Sequence, residues 1–302
     1  MGLLEGRVAL VTGAGRGIGA AAAKGLAAEG ACVVVNDLGA DVHGEGIDTT
    51  PAQEVVDAIV KDGGVAMADG TNVTDFEACE AMIHRTVKEF GRLDVLINVA
   101  GILRDRMIFK MSEEEWDAVI DVHLKGTFNT TRHASTWWRE NRGGQYRLIN
   151  FTSGSGIGGA PSQPNYAAAK MGIIGLTLSC ANALRPYGVT SNCIAPVATT
   201  RMTLTVPTGK TSNQYTAENR KLAPENVVPP ILYLASTRSD WLNRKVIGAG
   251  NGRISLYEDF AVNREIVSTD GEWDLPGTFD EMEATFKAHL EYPNYFDRPT
   301  GN

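Results

Sequence analysis

Short, continuously apolar runs alternate along the chain with longer stretches in which apolar residues return every three or four positions. Val8-Ala9-Leu10-Val11, Cys32-Val33-Val34-Val35 and Leu93-Asp94-Val95-Leu96-Ile97 lack polar alternation, the mark of strands covered on both faces. Residues 146–151 and 190–195 continue the series, and Lys245-Val246-Ile247 reads as a last short strand. Between these runs, residues 18–29 form an Ala-rich helical pattern stopped by Gly30. Phe76, Cys79, Met82, Ile83, Val87 and Phe90 mark one face of an amphipathic helix that Gly91 ends, and a further helix spans 164–184. Strand and helix alternate at βα spacing, which predicts an α/β fold with a doubly wound parallel sheet.

Two segments depart from this rhythm. Residues 39–51 are rich in Gly, Asp and Thr and long for a strand-to-helix loop. Residues 256–302 form a tail with a predicted helix near 278–290. It carries Tyr257, Phe260, Trp273, Phe279, Phe286, Tyr292, Tyr295 and Phe296, too many aromatics to leave in water. The expected organisation is a single domain over 1–255, with a C-terminal extension over 256–302 that packs on the core or on a neighbouring subunit.

Composition narrows the function classes. Lys and Arg number 28 against 36 Asp and Glu, a net charge of −8, with no basic cluster, which argues against a nucleic-acid partner. The four cysteines form no CxxC pair, so neither a disulfide framework nor a metal site is expected. Strand-like apolar runs stay near five residues, and the N-terminal residues have no basic leader pattern. The C-terminal Pro299-Thr300-Gly301-Asn302 is not a peroxisomal address. The expectation is a soluble, cytoplasmic protein without a membrane partner. Glycine is the outlier: 33 of 302 residues, about 11% against a usual ~7%.

Part of that excess sits in Thr12-Gly13-Ala14-Gly15-Arg16-Gly17-Ile18-Gly19, between the first strand and its helix. Such a turn lets backbone approach a pyrophosphate at the helix N-terminus. Asp37 follows Gly19 by 18 residues, where a carboxylate would bond an adenosine ribose and repel a 2′-phosphate. NAD is therefore expected over NADP, although Arg16 in the same turn would favour a phosphate.

Tyr166 and Lys170 stand four apart on one helix face, and Ser153 lies just past the strand 146–151. Residues at the carboxyl ends of parallel strands face the ligand crevice. A Lys ammonium ~5 Å from the phenol, at an effective dielectric near 20, would contribute roughly 3 kcal/mol and lower its pKa by about two units. Tyr166 would then exchange a proton with a substrate alcohol, Ser153 would hold the substrate oxygen, and Lys170 would also bind the nicotinamide ribose.

The TGxxxGxG spacing with Ser153 and Tyr166-x-x-x-Lys170 resembles the short-chain dehydrogenase/reductase family over about residues 1–255. The resemblance implies a Rossmann-type domain and a nicotinamide-dependent oxidoreductase of secondary alcohols. It places Gly13, Gly15, Arg16, Gly17, Ile18 and Gly19 at the pyrophosphate. It also sets Asn72-Val73 beside the adenine, and Asn98, Ala100, Gly101, Pro196 and Val197 along the cofactor, with Tyr166 and Lys170. Where many members have V-N-L-x-G this chain has Val122-His123-Leu124-Lys125-Gly126. His123 either holds the proton-relay water or is a helix histidine with no catalytic part.

Asn36-Asp37-Leu38-Gly39, residues 101–106 and the VHLKG segment are similar to the (3R)-hydroxyacyl-CoA dehydrogenase branch, which includes peroxisomal multifunctional enzyme type 2 (17β-hydroxysteroid dehydrogenase type 4). That branch implies a 3-hydroxyacyl-CoA substrate, with or without a steroid-derived acyl group. The alternatives are a free steroid or other cyclic secondary alcohol, or a catalytically silent NAD-sensing regulator. Arg104, Arg106 and Arg201 are candidates for CoA phosphates or plain surface charges, and 199–216 lies where a substrate lid belongs. The family implies a homodimer or homotetramer built on the helices after Leu124 and Pro164.

Overall fold

The computed structural model describes residues 2–205, 216, 219–268 and 274–287. The apolar runs become buried, mostly parallel strands joined by helical crossovers. The first half alternates β1 (Val8–Thr12), α1 (Gly17–Ala28), β2 (Cys32–Asn36), α2 (Thr50–Lys61), β3 (Val65–Asp69), α3 (Phe76–Phe90) and β4 (Val95–Asn98). A long helical segment then forms from α4 (Glu113–Ile120), one π-helical turn (Asp121–Lys125) and α5 (Gly126–Glu140). It is followed by β5 (Tyr146–Phe151), α6 (Gly154–Gly158), α7 (Pro164–Leu184), β6 (Val189–Val197) and α8 (Arg201–Thr205). After α9 (Val228–Ala235) come β7 (Val246–Gly250), β8 (Arg253–Leu256) and, in the extension, α10 (Leu275–Met282).

The strands form one eight-stranded sheet in the order β3-β2-β1-β4-β5-β6-β7-β8, parallel throughout except for the antiparallel β7–β8 pair. The strand order reverses between β1 and β4, the place where open α/β sheets bind ligands. One face is closed by apolar residues of α1, α2 and α9, including Leu26, Val55, Ile59 and Ile231. The other is closed by α3 and α5 through Met82, Ile83 and Trp138, with α7 adding Ile173 and Ile174. α7 has the length and mean hydropathy (1.3) of a membrane span, but here it packs on β6 and carries Tyr166 and buried Lys170.

The sheet and its helices make one compact unit, Met1–Tyr257, and Glu258–Asn302 make a second. In the second unit the helix runs over Leu275–Met282 and a π-helical turn to Lys287; Trp273, Tyr292, Tyr295 and Phe296 lie outside the described residues. The sequence reading missed the edge strands β3 and β8, which have exposed positions, the helices α4, α6, α8 and α9, and α2, which begins inside the Gly/Asp/Thr stretch with Pro51 in its first turn.

Candidate active site

At the carboxyl ends of the strands one register row is polar from edge to centre: Asp69, Asn36, Thr12, Asn98, Asn150 and Cys193. Side chains of this row bond to one another and to the helices above. Thr130 Oγ1 donates to Asn98 Oδ1 at 2.7 Å, Asn98 Nδ2 donates to Asn150 Oδ1 at 2.9 Å, and Asn150 Nδ2 donates to Thr177 Oγ1 at 2.9 Å. Thr12 Oγ1 accepts from Val99 N and Ala100 N, fixing the loop after β4 against the glycine turn. The row is a buried floor, fully paired at its centre, and fixes the loops above it.

Above this floor lies a cavity of about 570 Å³. Of the residues singled out by sequence, Gly13, Arg16, Gly17, Ile18, Gly19, Asp37, Asn72, Val73, Ala100, Gly101, His123, Ser153, Tyr166, Lys170, Pro196 and Val197 line it. Asn98 and Gly15 are not lining residues. Asn98 belongs to the polar floor, and Gly15 acts through Asp37, whose Oδ2 accepts its N–H at 2.7 Å. Asp37 Oδ1 accepts from Gly39 N at 2.7 Å, so two backbone amides aim this carboxylate.

The glycine turn fits a dinucleotide phosphate. A Cβ on Gly13 would meet the Ala100 backbone at 2.7 Å, so only glycine lets the two loops close this far. Gly17 beside it opens toward Thr200, leaving bare backbone facing the cavity at the start of α1.

Sequence reasoning did not foresee the roof over the adenosine side. Leu38 and residues 40–44 of the long loop after β2 line the cavity, and Val42 and His43 are bonded to the loop after β4. Leu103 N donates to Val42 O at 2.9 Å, His43 Nδ1 lies 3.2 Å from Leu103 O, and Arg104 Nε donates to His43 O at 2.8 Å. The unusual length of this loop was its only signal. Arg104 also pairs with Glu45, and Arg106 pairs with Glu115. Arg201 lines the cavity at the start of α8, where burial first and the Arg16 charge second lower the pKa of its guanidinium against the opposing charges of Asp37 and Asp41. The rest of the lid stretch, from 206 to 215, lies outside the described residues.

Tyr166, Lys170, Ser153 and His123 converge at the other end. Ser153 caps α6, its Oγ accepting from Ser155 N at 3.1 Å, and its hydroxyl favours the ionised form of the Tyr166 phenol. Lys170 Nζ donates to Phe151 O at 2.9 Å and lies 5.5 Å from the Tyr166 ring centroid. Burial pushes the Tyr166 phenol up to about 12, opposed by Ser153 and reinforced by the charge of Asp105. Burial likewise brings the Lys170 ammonium down to about 8. Burial sets the direction of both shifts in the protein without cofactor.

His123 occupies the π-helical turn, packed edge-on to Tyr166 with ring centroids 5.0 Å apart. Its ring lies against Gly101, where a Cβ would meet Cε1 at 2.2 Å. Nε2 faces both Ile102 O (2.8 Å) and Ile102 N (3.0 Å), while Nδ1 is buried with no partner. Burial and the Lys170 charge hold the imidazole far below its ordinary pKa, so it is neutral. No cluster of metal-ligating side chains occurs among the described residues.

Residues 7–211 match the family described as short chain dehydrogenase. A hydroxyacyl-CoA dehydrogenase, ChsB1, of Mycobacterium tuberculosis is 39% identical over 294 residues, covering 95% of this chain and 89% of that protein. The peroxisomal multifunctional enzyme type 2 of Mus musculus is 43% identical over 76% of this chain, which spans only 30% of that longer protein. A crystallised short chain dehydrogenase from Mycobacterium avium superposes with a TM-score of 0.82 at 44% identity, covering 94% of this chain and 96% of the other. Family match, relatives and fold agree: the chain belongs to the short chain dehydrogenase family and is an oxidoreductase acting on CH–OH groups with a nicotinamide cofactor.

Proposed function

We propose that this protein is an NAD-dependent dehydrogenase of 3-hydroxyacyl-CoA thioesters. The observation that carries the chemistry is the convergence of Ser153, Tyr166, Lys170 and His123 on one end of a cavity whose other end presents Asp37. The substrate class rests on the relatives: hydroxyacyl-CoA dehydrogenase ChsB1 covers nearly the whole chain at 39% identity.

The nicotinamide, when bound, supplies the hydride acceptor or donor and, when oxidised, a positive charge. The remaining work falls to this chain. Ser153 Oγ donates to the substrate oxygen and fixes it beside Tyr166 Oη. With its pKa near 12, Tyr166 enters as an acid that protonates a forming alkoxide; in the oxidative direction its Oη takes the alcohol proton once added positive charge lowers it. Lys170, poised near 8, passes protons onward from this buried corner. Nδ1 of neutral His123 is the polar atom there able to hold a relay water, because Nε2 is committed to the Ile102 peptide. Asp37 favours a free ribose hydroxyl over a 2′-phosphate, which supports NAD over NADP. A homo-oligomer built on α5 and α7 is supported by the incomplete burial of apolar α7, a third of whose most apolar stretch is covered within one chain.

The test is a panel of 3-hydroxyacyl-CoAs and matching free secondary alcohols, followed by reduced-nicotinamide absorbance. The thioesters should give the higher kcat/KM. Equal or better turnover of the free alcohols would overturn the substrate class while leaving the dehydrogenase chemistry standing.

A further inference from the structure

The loop after β4 carries a buried carboxylate that none of the steps above uses. Asp105 Oδ2 accepts from Gln163 Nε2 at 2.9 Å, while its Oδ1 is buried and has no partner. Gln163 is itself buried and stands at the N-terminal boundary of α7, three residues before Tyr166. The backbone on either side of Asp105 is tied to the same helix turn: Arg106 N donates to Ser162 O at 2.8 Å, and Asn165 Nδ2 donates to Arg104 O at 3.0 Å. Asn165 also holds Tyr166 through its backbone, its Oδ1 accepting from Tyr166 N at 2.8 Å. The carboxylate is therefore locked in place relative to the catalytic phenol.

Its charge is also left uncancelled. The two flanking arginines are engaged elsewhere, Arg104 with His43 O and Glu45, and Arg106 with Glu115. Resting on the reading of Tyr166 as the proton-transfer residue, we infer that Asp105 is a positioning residue: it fixes the first turn of α7 through Gln163, and its charge holds Tyr166 in the phenol form. Around Tyr166 the other groups able to act this way are Lys170 on α7, neutral His123 on the π-helical turn and the Ser153 hydroxyl beyond β5. Around Asp105 they are His43, which opposes the effect of burial on its carboxyl, and Gln163. Asp105 raises the phenol, and although burial raises Asp105 itself, the hydrogen bond from Gln163 and the charge of His43 favour its ionised form.

The signs give a specific test. Removing the charge makes the phenolate easier to form, so the Tyr166 pKa falls. Oxidation needs the phenolate and reduction the phenol, so both pH–rate profiles move toward lower pH together. In Asp105→Asn we expect both limbs to shift down by about 0.5–1 pH unit, from a unit charge acting through a partly screened interior. Asp105→Glu, which keeps the charge, should return the profile toward the wild-type pH even where kcat is reduced. Independently of turnover, ultraviolet phenolate titration of the protein minus its Tyr166→Phe variant should show the same downward shift with Asp105→Asn. A lower rate with unmoved pH limbs and an unmoved phenolate titration would overturn the inference and leave Asp105 a structural clamp. Full activity in Tyr166→Phe would instead overturn the reading of Tyr166 on which it rests.

Discussion

The two ends of the sheet treat buried charge in opposite ways. At the amino end, Asp94 accepts from Val8 N at 2.9 Å and from Arg92 Nε and Nη2 at 2.8 Å each. Arg147, almost fully buried, donates to Ser236 O and Tyr146 O at 2.9 Å and pairs with Asp240. Arg7 Nη2 donates to Gln145 O at 2.7 Å, while its buried Nε lacks a partner. These charges bind strand starts together. At the carboxyl end His123 Nδ1 and Asp105 Oδ1 are buried without partners, Tyr166 is driven up to about 12 and Lys170 down to about 8. The first arrangement pairs its carboxylates with arginines and backbone, Arg7 Nε excepted, whereas the second keeps hydrogen-bonding capacity at the cavity for a ligand. Changes at the amino end should therefore cost stability and spare chemistry, and changes at the carboxyl end the reverse.

The largest expected effect tests the carboxyl end. Tyr166→Phe removes one hydroxyl and should lower kcat by about 10²–10⁴-fold, the usual loss for a positioned acid–base group. Its unfolding midpoint should remain close to wild type, and cofactor binding followed by fluorescence should persist. A matching loss of stability would blur the contrast between the two ends.

Asp94→Ala is the converse experiment. It strips a buried, bidentate carboxylate from Arg92 and a cap from the β1 backbone, at a cost of about 3 kcal/mol given that the Arg92 side chain is half-exposed. Urea unfolding should report that loss, while kcat per folded molecule stays within about twofold. A collapse of kcat at full folding would show that the two ends are coupled.

Lys170→Met sharpens the comparison further, because here the carboxyl end should gain stability by losing function. Lys170 binds its proton with a pKa near 8 when folded and 10.5 as its ordinary value. Between those values the unfolded chain holds more protons, so this lysine's penalty is complete below pH 8 and fades as pH climbs toward 10.5. The Met variant should be more stable at pH 7 by about 1–3 kcal/mol and should lack that pH slope. Turnover should fall sharply. Equal stability across pH 7–10 would mean that the hydrogen bond to Phe151 O already offsets the burial.

What could be read from the sequence follows the same division. Central strands such as β1 and β4 are continuously apolar because both faces are covered, so their pattern announced them. Edge strands β3 and β8 have exposed positions and gave no such pattern. The pairing of Tyr166 with Lys170 was legible because helix periodicity alone puts them on one face. The sign of the Tyr166 shift was not, since it depends on how deeply both groups are buried, which no spacing encodes. Asn98 carried the right motif, yet its side chain serves the polar floor, because neighbouring Asn150 and Thr130 offer it partners. The roof over residues 38–44 depends on backbone bonds between two loops and left only its length as a trace.

Asp37 crosses the division and yields the subtlest test. Like Asp94 it is tied to backbone amides, yet it stands at the carboxyl end and lines the cavity. Its two oxygens each accept an N–H at 2.7 Å, which leaves further lone pairs to accept from a ribose hydroxyl while its charge repels a phosphate. Arg16 and Arg201 stand close by and would attract that phosphate once the carboxylate is gone. Asp37→Ala should therefore shift the ratio of kcat/KM for NAD over NADP by about tenfold toward NADP, worth about 1.4 kcal/mol. Losing two amide partners should also lower stability by about 1 kcal/mol. If stability falls and the cofactor ratio does not move, Asp37 is a structural acid of the Asp94 kind placed at the opposite end of the sheet. If the ratio moves, a single carboxylate serves both purposes, holding its loops and choosing the cofactor.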